Sequence, residues 1–291
     1  MRFFLTKIRH RHPDGHDYLF ASRAHRKGLL PARILESGLL EFQPLQSRPW
    51  FRFWAPQRLT WWIAILFMIG SSFFAFASFA ANWPSRLPPL FSDPHINPIL
   101  FFIGSIFFTL AAGTQLLEAI NGDIADIDLT QNRKQPWRWF AWKPKNAGYM
   151  ASLLQFIGTL YFNFNTGNAL ISGLNGLQQD LLIWMPNMIG SIFFLLSGYI
   201  ALIEISHRFF SFQPQHISWW ISMLNMVGSI AFMISAFDAF VSPKTGKMQS
   251  EWGANFYTLL GVICFFIAAY LMIPELFGAG QKTKMEVPTH E

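Results

Sequence analysis

Residues 54–74 read WAPQRLTWWIAILFMIGSSFF. After Arg58 no charged residue follows until Arg86. About 20 helical residues cross a hydrocarbon core of roughly 30 Å. The run lacks the dyad alternation of a barrel strand, and in lipid a lone segment must bond its own backbone, so it is read as a helix. The same text returns twice, as WKPKNAGYMASLLQFIGTLYF at 142–162 and FQPQHISWWISMLNMVGSIAF at 212–232.

Gly70, Gly158 and Gly228 align the three stretches. Before each come a proline (Pro56, Pro144, Pro214), an aromatic ahead of it (Trp54, Trp142, Phe212) and another after it (Trp61, Tyr149, Trp219). After each come a hydroxyl residue (Ser71, Thr159, Ser229) and a phenylalanine (Phe74, Phe162, Phe232). A related pattern surrounds Gly104, Gly190 and Gly261, with Phe108, Phe194 and Phe265 and then Glu118, Glu204 and Glu275. Self-similarity of this kind marks a repeat architecture. The expected fold is all-α: a polytopic membrane protein with six transmembrane helices as three repeated two-helix hairpins. The spans are expected near 61–81, 97–119, 148–171, 181–205, 217–240 and 254–274. The third is diluted by Asn163, Asn165 and Asn168.

The organisation follows. Residues 1–53 form a basic N-terminal segment and 54–119 the first hairpin. A connection spans 120–141, hairpins two and three span 142–205 and 212–275, and a tail covers 276–291. The proline starts a helix, where a missing N–H is tolerated. The glycine lets backbones approach, its hydroxyl neighbour bonds across or back along a helix, and the phenylalanine fills the adjoining groove.

Composition agrees: 52% of residues are hydrophobic and 13% charged, against roughly 25% charged in a soluble protein. Lys and Arg number nineteen on the side of both termini and three on the other, which predicts cytoplasmic termini. Trp50, Trp54, Trp61, Trp62, Trp137, Trp139, Trp142, Trp219 and Trp220 mark an interfacial belt on that side. The start has no signal-peptide pattern, so the first span is expected to serve as the insertion signal, with a bacterial inner membrane as the default location. The basic surplus is read as attraction to anionic headgroups rather than to nucleic acid. Cys264 is the only cysteine, which excludes an intrachain disulfide and a cysteine-rich metal site.

Few residues carry chemistry. Glu118, Glu204 and Glu275 stand 14 residues past their glycines, about 21 Å along a helix and so near the interface. There they are either solvated helix ends or a ring of carboxylates at a cytoplasmic mouth that attracts cations. Glu204 with His207 offers a metal-binding spacing once, whereas di-iron bundles need it twice. Gln155, Asn187, Asn225 and Thr258 each precede a central glycine by three residues. They are expected near mid-membrane, as interhelical glue or as the lining of a polar passage. Asp238 is expected at the outer interface. Asp123, Asp126 and Asp128 lack the glycine and glutamate of a calcium loop. His10, His12, His16 and His25 have no tetrahedral ligand spacing. No catalytic motif appears, so no catalytic residue, cofactor or metal is assigned.

The Trp-x-x-x-x-Asn-x-x-Gly-Ser pattern of Trp220, Asn225, Gly228 and Ser229, with Ile189, Gly190 and Ser191 of the partner helix, resembles the YrhK-like membrane domain. The resemblance covers each hairpin, and thus most of 54–275. Phe67 and Gln155 replace the Asn in the first two copies. It implies the hairpin architecture and no activity. Two functional expectations remain: passage of a small solute or ion through a pseudo-threefold bundle, or a non-transporting scaffold that binds a partner through its basic N-terminal segment.

Overall fold

The computed structural model describes residues 4, 7–11, 17–27, 33–34, 40–41, 52–88, 95–122, 137–206, 212–242 and 245–278. Asp123, Asp126, Asp128, His12, His16 and His207 lie outside them, as does most of the 120–141 connection and of the 276–291 tail. Two short antiparallel ribbons stand in the N-terminal segment: β1 (Lys7–Arg11) with β2 (Asp17–Ala21), and β3 (Arg33–Ile34) with β4 (Leu40–Glu41). Helix α1 (Ser22–Arg26) follows β2 directly.

The rest is helical: α2 (Leu59–Asn82), α3 (Ile96–Asn121), α4 (Ala147–Asn168), α5 (Gly176–Gln179), α6 (Met185–Ser206), α7 (Ile217–Asp238) and α8 (Glu251–Gly278). A π-helical turn, Asp180–Trp184, joins α5 to α6, so the two continue as one rod. Asn146 starts α4 by accepting the Tyr149 N–H (3.0 Å), and an Asn175–Gln178 capping box starts α5. Helix α8 runs past Pro274, where the expected span ended. Five of these rods are long and apolar enough to cross a membrane, as in an integral membrane protein. Helix α4 has the length, but its polar second half lowers its hydropathy. Part of that polarity is turned inward: Asn163 donates to Thr109 Oγ1 (2.8 Å), and Thr166 shares a hydrogen bond with Ser105 (2.9 Å).

The long helices form a closed ring. Each packs on its neighbours in chain order, and α8 returns to pack on α2. Within the pairs α2–α3, α4–α6 and α7–α8 the glycines meet. A Cβ added at Gly70 would stand 3.0 Å from the Gly104 carbonyl, one at Gly190 3.1 Å from that of Gly158, and one at Gly228 2.9 Å from that of Gly261. Any side chain there would push two backbones apart. The neighbouring hydroxyls of Thr159, Ser191 and Ser229 bond back to carbonyls of their own helices.

Six phenylalanines fill the interior. Phe74, Phe108, Phe162, Phe194, Phe232 and Phe265 are all buried. Partners within a pair meet edge-on at 5.0–5.3 Å between centroids. Other contacts skip a helix of the ring: Phe108 with Phe265 (6.2 Å), Phe194 with Phe265 (5.8 Å) and Phe162 with Phe232 (5.5 Å). Rings from helices that are not neighbours therefore touch across the interior.

Candidate functional site: the carboxylate end of the bundle

Helices α3, α6 and α8 end where α2, α4 and α7 begin, so this end gathers Glu118, Glu204 and Glu275. They are not solvated. Their exposures are 5%, 1% and 2%. Helix α1 covers them and packs against α3, α4 and α6. Arg23 grips Glu275 with two hydrogen bonds (Nε to Oε1 3.0 Å, Nη2 to Oε2 3.1 Å), and Lys27 Nζ adds a third to Oε2 (2.6 Å). Arg26 Nη2 donates to Glu204 Oε2 (2.8 Å), and the Ser22 hydroxyl to Glu204 Oε1 (2.6 Å). Arg58, just ahead of α2, donates to the Lys27 carbonyl (2.9 Å). The reading of solvated helix ends is thereby corrected. Position along a helix predicted the interface, but the chain's own N-terminal segment shields these groups from water.

A second regularity explains where α1 docks. The second residue of α2 is Thr60 and that of α7 is Ser218. Their hydroxyls donate to Glu118 and Glu275 of the paired helices. The second residue of α4 is Gly148, which has no hydroxyl for Glu204. A Cβ at Gly148 would collide with the Glu204 carboxylate and stand 2.9 Å from Arg26 Nε. The space of the missing side chain is taken by the Glu204 carboxylate and the Arg26 guanidinium. Gly122, after α3, gives a similar clearance: a Cβ there would come within 2.6 Å of the Arg26 Cα. Both signals, ten residues before the aligning glycine and four after Glu118, are present in the sequence, but only a partner segment gives them meaning.

Buried charges of opposite sign need close pairing, because each loses its hydration. For Arg23, burial works against the charge, but Glu275, joined by Glu204 and Glu118, outweighs it and raises the guanidinium above its ordinary value. For Lys27, burial and then the Arg23 charge win, bringing the ammonium from 10.5 down to about 8 despite Glu275 and Glu118. Docked Lys27 thus holds its proton less tightly than it does when released. Docking sheds that proton between pH 8 and 10.5, so α1 binds more firmly as pH rises through that window. In a partly released variant such as Arg26→Ala, spin labels on α1 and α8 will report a growing docked fraction from pH 7.5 to 10. Adding Lys27→Met will flatten the trend. A docked fraction that falls with pH in the first variant contradicts this linkage.

Behind α1 lies a cavity of about 50 Å³. Arg23, Arg26 and Lys27 face it from the N-terminal segment, Glu118, Glu204, Gln115, Gln155, Ser222 and Asn225 are among the polar groups of the bundle that line it, and Phe194 and Phe265 are its floor. Of the four mid-helix polar residues, only Gln155 and Asn225 reach it. Asn187 and Thr258 do not, and the expectation of a common depth is corrected. Partner helices run antiparallel, so three residues before the glycine is the α1 side in α4 and α7 but the far side in α6 and α8. The offset between the two sets is about 9 Å. Thr258 bonds Ser235 (2.8 Å) and the Ala254 carbonyl (2.9 Å) instead. Asp238 ends α7 at the far end, half-buried. Gln115, which sequence reasoning missed, donates to Gln155 (3.0 Å) from one turn before Glu118. Among the described residues no group of three or more His, Cys, Asp or Glu could hold a metal ion. No family model, curated protein or solved structure matches the chain.

Proposed function

We propose that the chain is a membrane passage for a small cation or polar solute, held closed by its own N-terminal helix. One observation carries this reading: α1 caps a polar cavity whose other wall is phenylalanine. A solid scaffold needs neither buried amides behind the cap nor three carboxylates around it. Hydrophobic constrictions gate pores by excluding water, and carboxylate rings draw cations to a mouth. Both devices stand in series here, with α1 seated on the carboxylates.

In this reading α4 is a sixth span, kept in the membrane by neighbours that satisfy its polar groups. The chain is then three copies of one two-helix unit of the YrhK-like kind, around a pseudo-threefold axis. The matched glycine contacts and phenylalanine pairs support it, as do the edge-on pairs Trp54–Trp61, Trp142–Tyr149 and Phe212–Trp219. Charge bias places the termini, and with them α1, in the cytoplasm, by default at a bacterial inner membrane. The competing scaffold would work through its basic segment. Arg23, Arg26 and Lys27 of that segment are spent inside the bundle.

The test is flux into liposomes. The native chain will leak Na⁺, K⁺ and small polyols only at background. Gly148→Thr gives α4 the hydroxyl position that α2 already has, and evicts Ser22 and Arg26. Combined with Phe265→Ala, which opens the floor, it will raise cation flux at least about tenfold, the equivalent of about 1.4 kcal/mol in the closed state. If Gly148→Thr frees α1, as judged by tryptic cleavage, yet flux stays at background even with the cavity floor trimmed, the passage reading fails and the scaffold replaces it.

A further inference from the structure

The charges around the cavity behind α1 are balanced. Arg23, Arg26 and Lys27 face it from the N-terminal segment, and Glu118 and Glu204 from the bundle. Glu275, just outside the lining, is held by Arg23 and Lys27. Three positive and three negative groups leave no net charge for an ion to neutralise. A cation would meet the basic face and an anion the carboxylates, and either would give up its hydration on entry.

The unspent hydrogen-bonding capacity is also of both signs. Arg26 Nε is a buried donor without a partner and Glu118 Oε2 a buried acceptor without one. Ser222 Oγ, equally unpartnered in a residue 1% exposed, can act as either. Three side-chain amides add to this. Gln115 commits its nitrogen to Gln155 Oε1 (3.0 Å) and Ser152 Oγ (3.3 Å), which leaves its carbonyl oxygen. Gln155 Oε1 is taken by that bond, which leaves its amide nitrogen. The Asn225 side chain makes no hydrogen bond among the described residues and offers both ends. Interiors seldom leave so many polar groups bare, so a guest is expected there.

Shape narrows the choice of guest. The cavity of about 50 Å³ has space for roughly three to five waters, at roughly 10–15 Å³ each. The same three amides line a second void of about 20 Å³ that reaches Phe67 and Phe108, and Phe194 and Phe265 border both. A flat solute the size of urea fits this space. It can lay its face on a phenylalanine ring and turn its N–H and C=O edges to the amides.

We propose that the cavity between α1 and the phenylalanine floor binds one small uncharged amide of the urea and acetamide class. Gln155 and Asn225 donate to its carbonyl, Gln115 and Glu118 accept from its N–H groups, and Phe194 and Phe265 cover its face. The proposal rests on the passage reading for its purpose and names the solute which that reading left open. Its chemistry does not depend on transport. In the opened variants α1 has carried its charges away, so the cation flux expected there belongs to the bare carboxylates.

The test measures binding without transport. The full-length protein in detergent is titrated with solutes of one shape: acetamide, acetone, acetate and acetamidinium. Saturation-transfer NMR on the solute methyl group reads binding. Acetamide will give a saturable signal that urea displaces. Acetone lacks the donor, acetate is an anion and acetamidinium a cation; each will bind at least about tenfold more weakly. Asn225→Leu and Gln155→Met keep the volume and remove the amide. Each will weaken acetamide binding about tenfold if one hydrogen bond is worth about 1.4 kcal/mol. Glu251→Gln, exposed at the far end, will change nothing. The solute series in the native chain decides the matter even where a variant does not fold. Equal binding of acetone, acetate or acetamidinium, or no saturable acetamide signal, overturns the site. So does a signal that survives unchanged in both amide variants. Acetamide binding without liposome flux in the opened variants overturns the passage and leaves the site standing; flux without acetamide binding does the reverse.

Discussion

Glu275→Gln will release α1 from an otherwise folded bundle, and trypsin will cut after Arg23, Arg26 and Lys27 at least ten times faster than in the native chain. The reason is the concentration of charge on one carboxylate. Arg23 and Lys27 both end on Glu275, in a place where Lys27 is 5% exposed and Glu275 2%. Neutralising that carboxylate leaves two buried cations without a counter-ion. Removing one partner of a buried pair costs about 3–5 kcal/mol. The bundle has a simple escape, because α1 lies outside the ring of long helices and can leave without breaking it. The loss is therefore expressed as local opening rather than global unfolding. Glu118→Gln is the internal control: Glu118 makes no ion pair or hydrogen bond with these cations among the described residues and acts on Arg23 and Lys27 only at longer range, so cleavage at the three sites will rise much less. Mass spectrometry of the cleavage sites reads both. Equal protection in Glu275→Gln and the native chain would show that the ion pairs do not hold α1.

Phe265→Ala will lower the unfolding midpoint by on the order of 10 °C, the largest effect expected from a single substitution in the core. Phe265 touches Phe108, Phe194 and Phe232, and its ring packs over Gly228. Removing such a ring costs about 3–5 kcal/mol, and a chain of this size loses about 2–4 °C per kcal/mol. The neighbouring helices cannot close the gap, since their glycine contacts already hold backbones at minimum separation. The new void joins the cavity behind α1. Alone, it will not raise flux, because α1 still covers the mouth. Combined with Gly148→Thr it will raise flux beyond that variant. A midpoint within 1–2 °C of the native value would mean that the ring cluster carries little of the packing, a range set by surface substitutions.

The helices were legible in the sequence because their signals are local. The apolar run after Arg58 and the matched glycines act within one or two turns; the prolines stand three residues ahead of α2, α4 and α7 rather than at their first turn. Phenylalanine four residues past glycine was legible as packing for the same reason. The site was legible only in part. Glu118, Glu204 and Glu275 stood out by register, but their environment depends on residues far away in the chain. Ser22 and Glu204 are 182 positions apart, and Arg23 and Glu275 are 252. Basic residues near a membrane suit lipid headgroups and buried carboxylates equally well, and composition does not choose between them. Depth misled in a second way. Counting from the glycine treats partner helices as parallel, and so put Asn187 and Thr258 beside Gln155 and Asn225.

The closed ring sets the order in which the molecule can be finished. Synthesis delivers α1 first and α8 last, and helices assemble as they emerge. Until α8 is in place, α2 has one flank exposed to lipid, and the two charges of α1 that seek Glu275 have nowhere to settle. A helix made before any of the long ones is thus the last to be seated, and its docking requires that α8 has arrived. A chain truncated before α8 lacks Glu275, the counter-ion of Arg23 and Lys27, and so cannot complete the seating of α1.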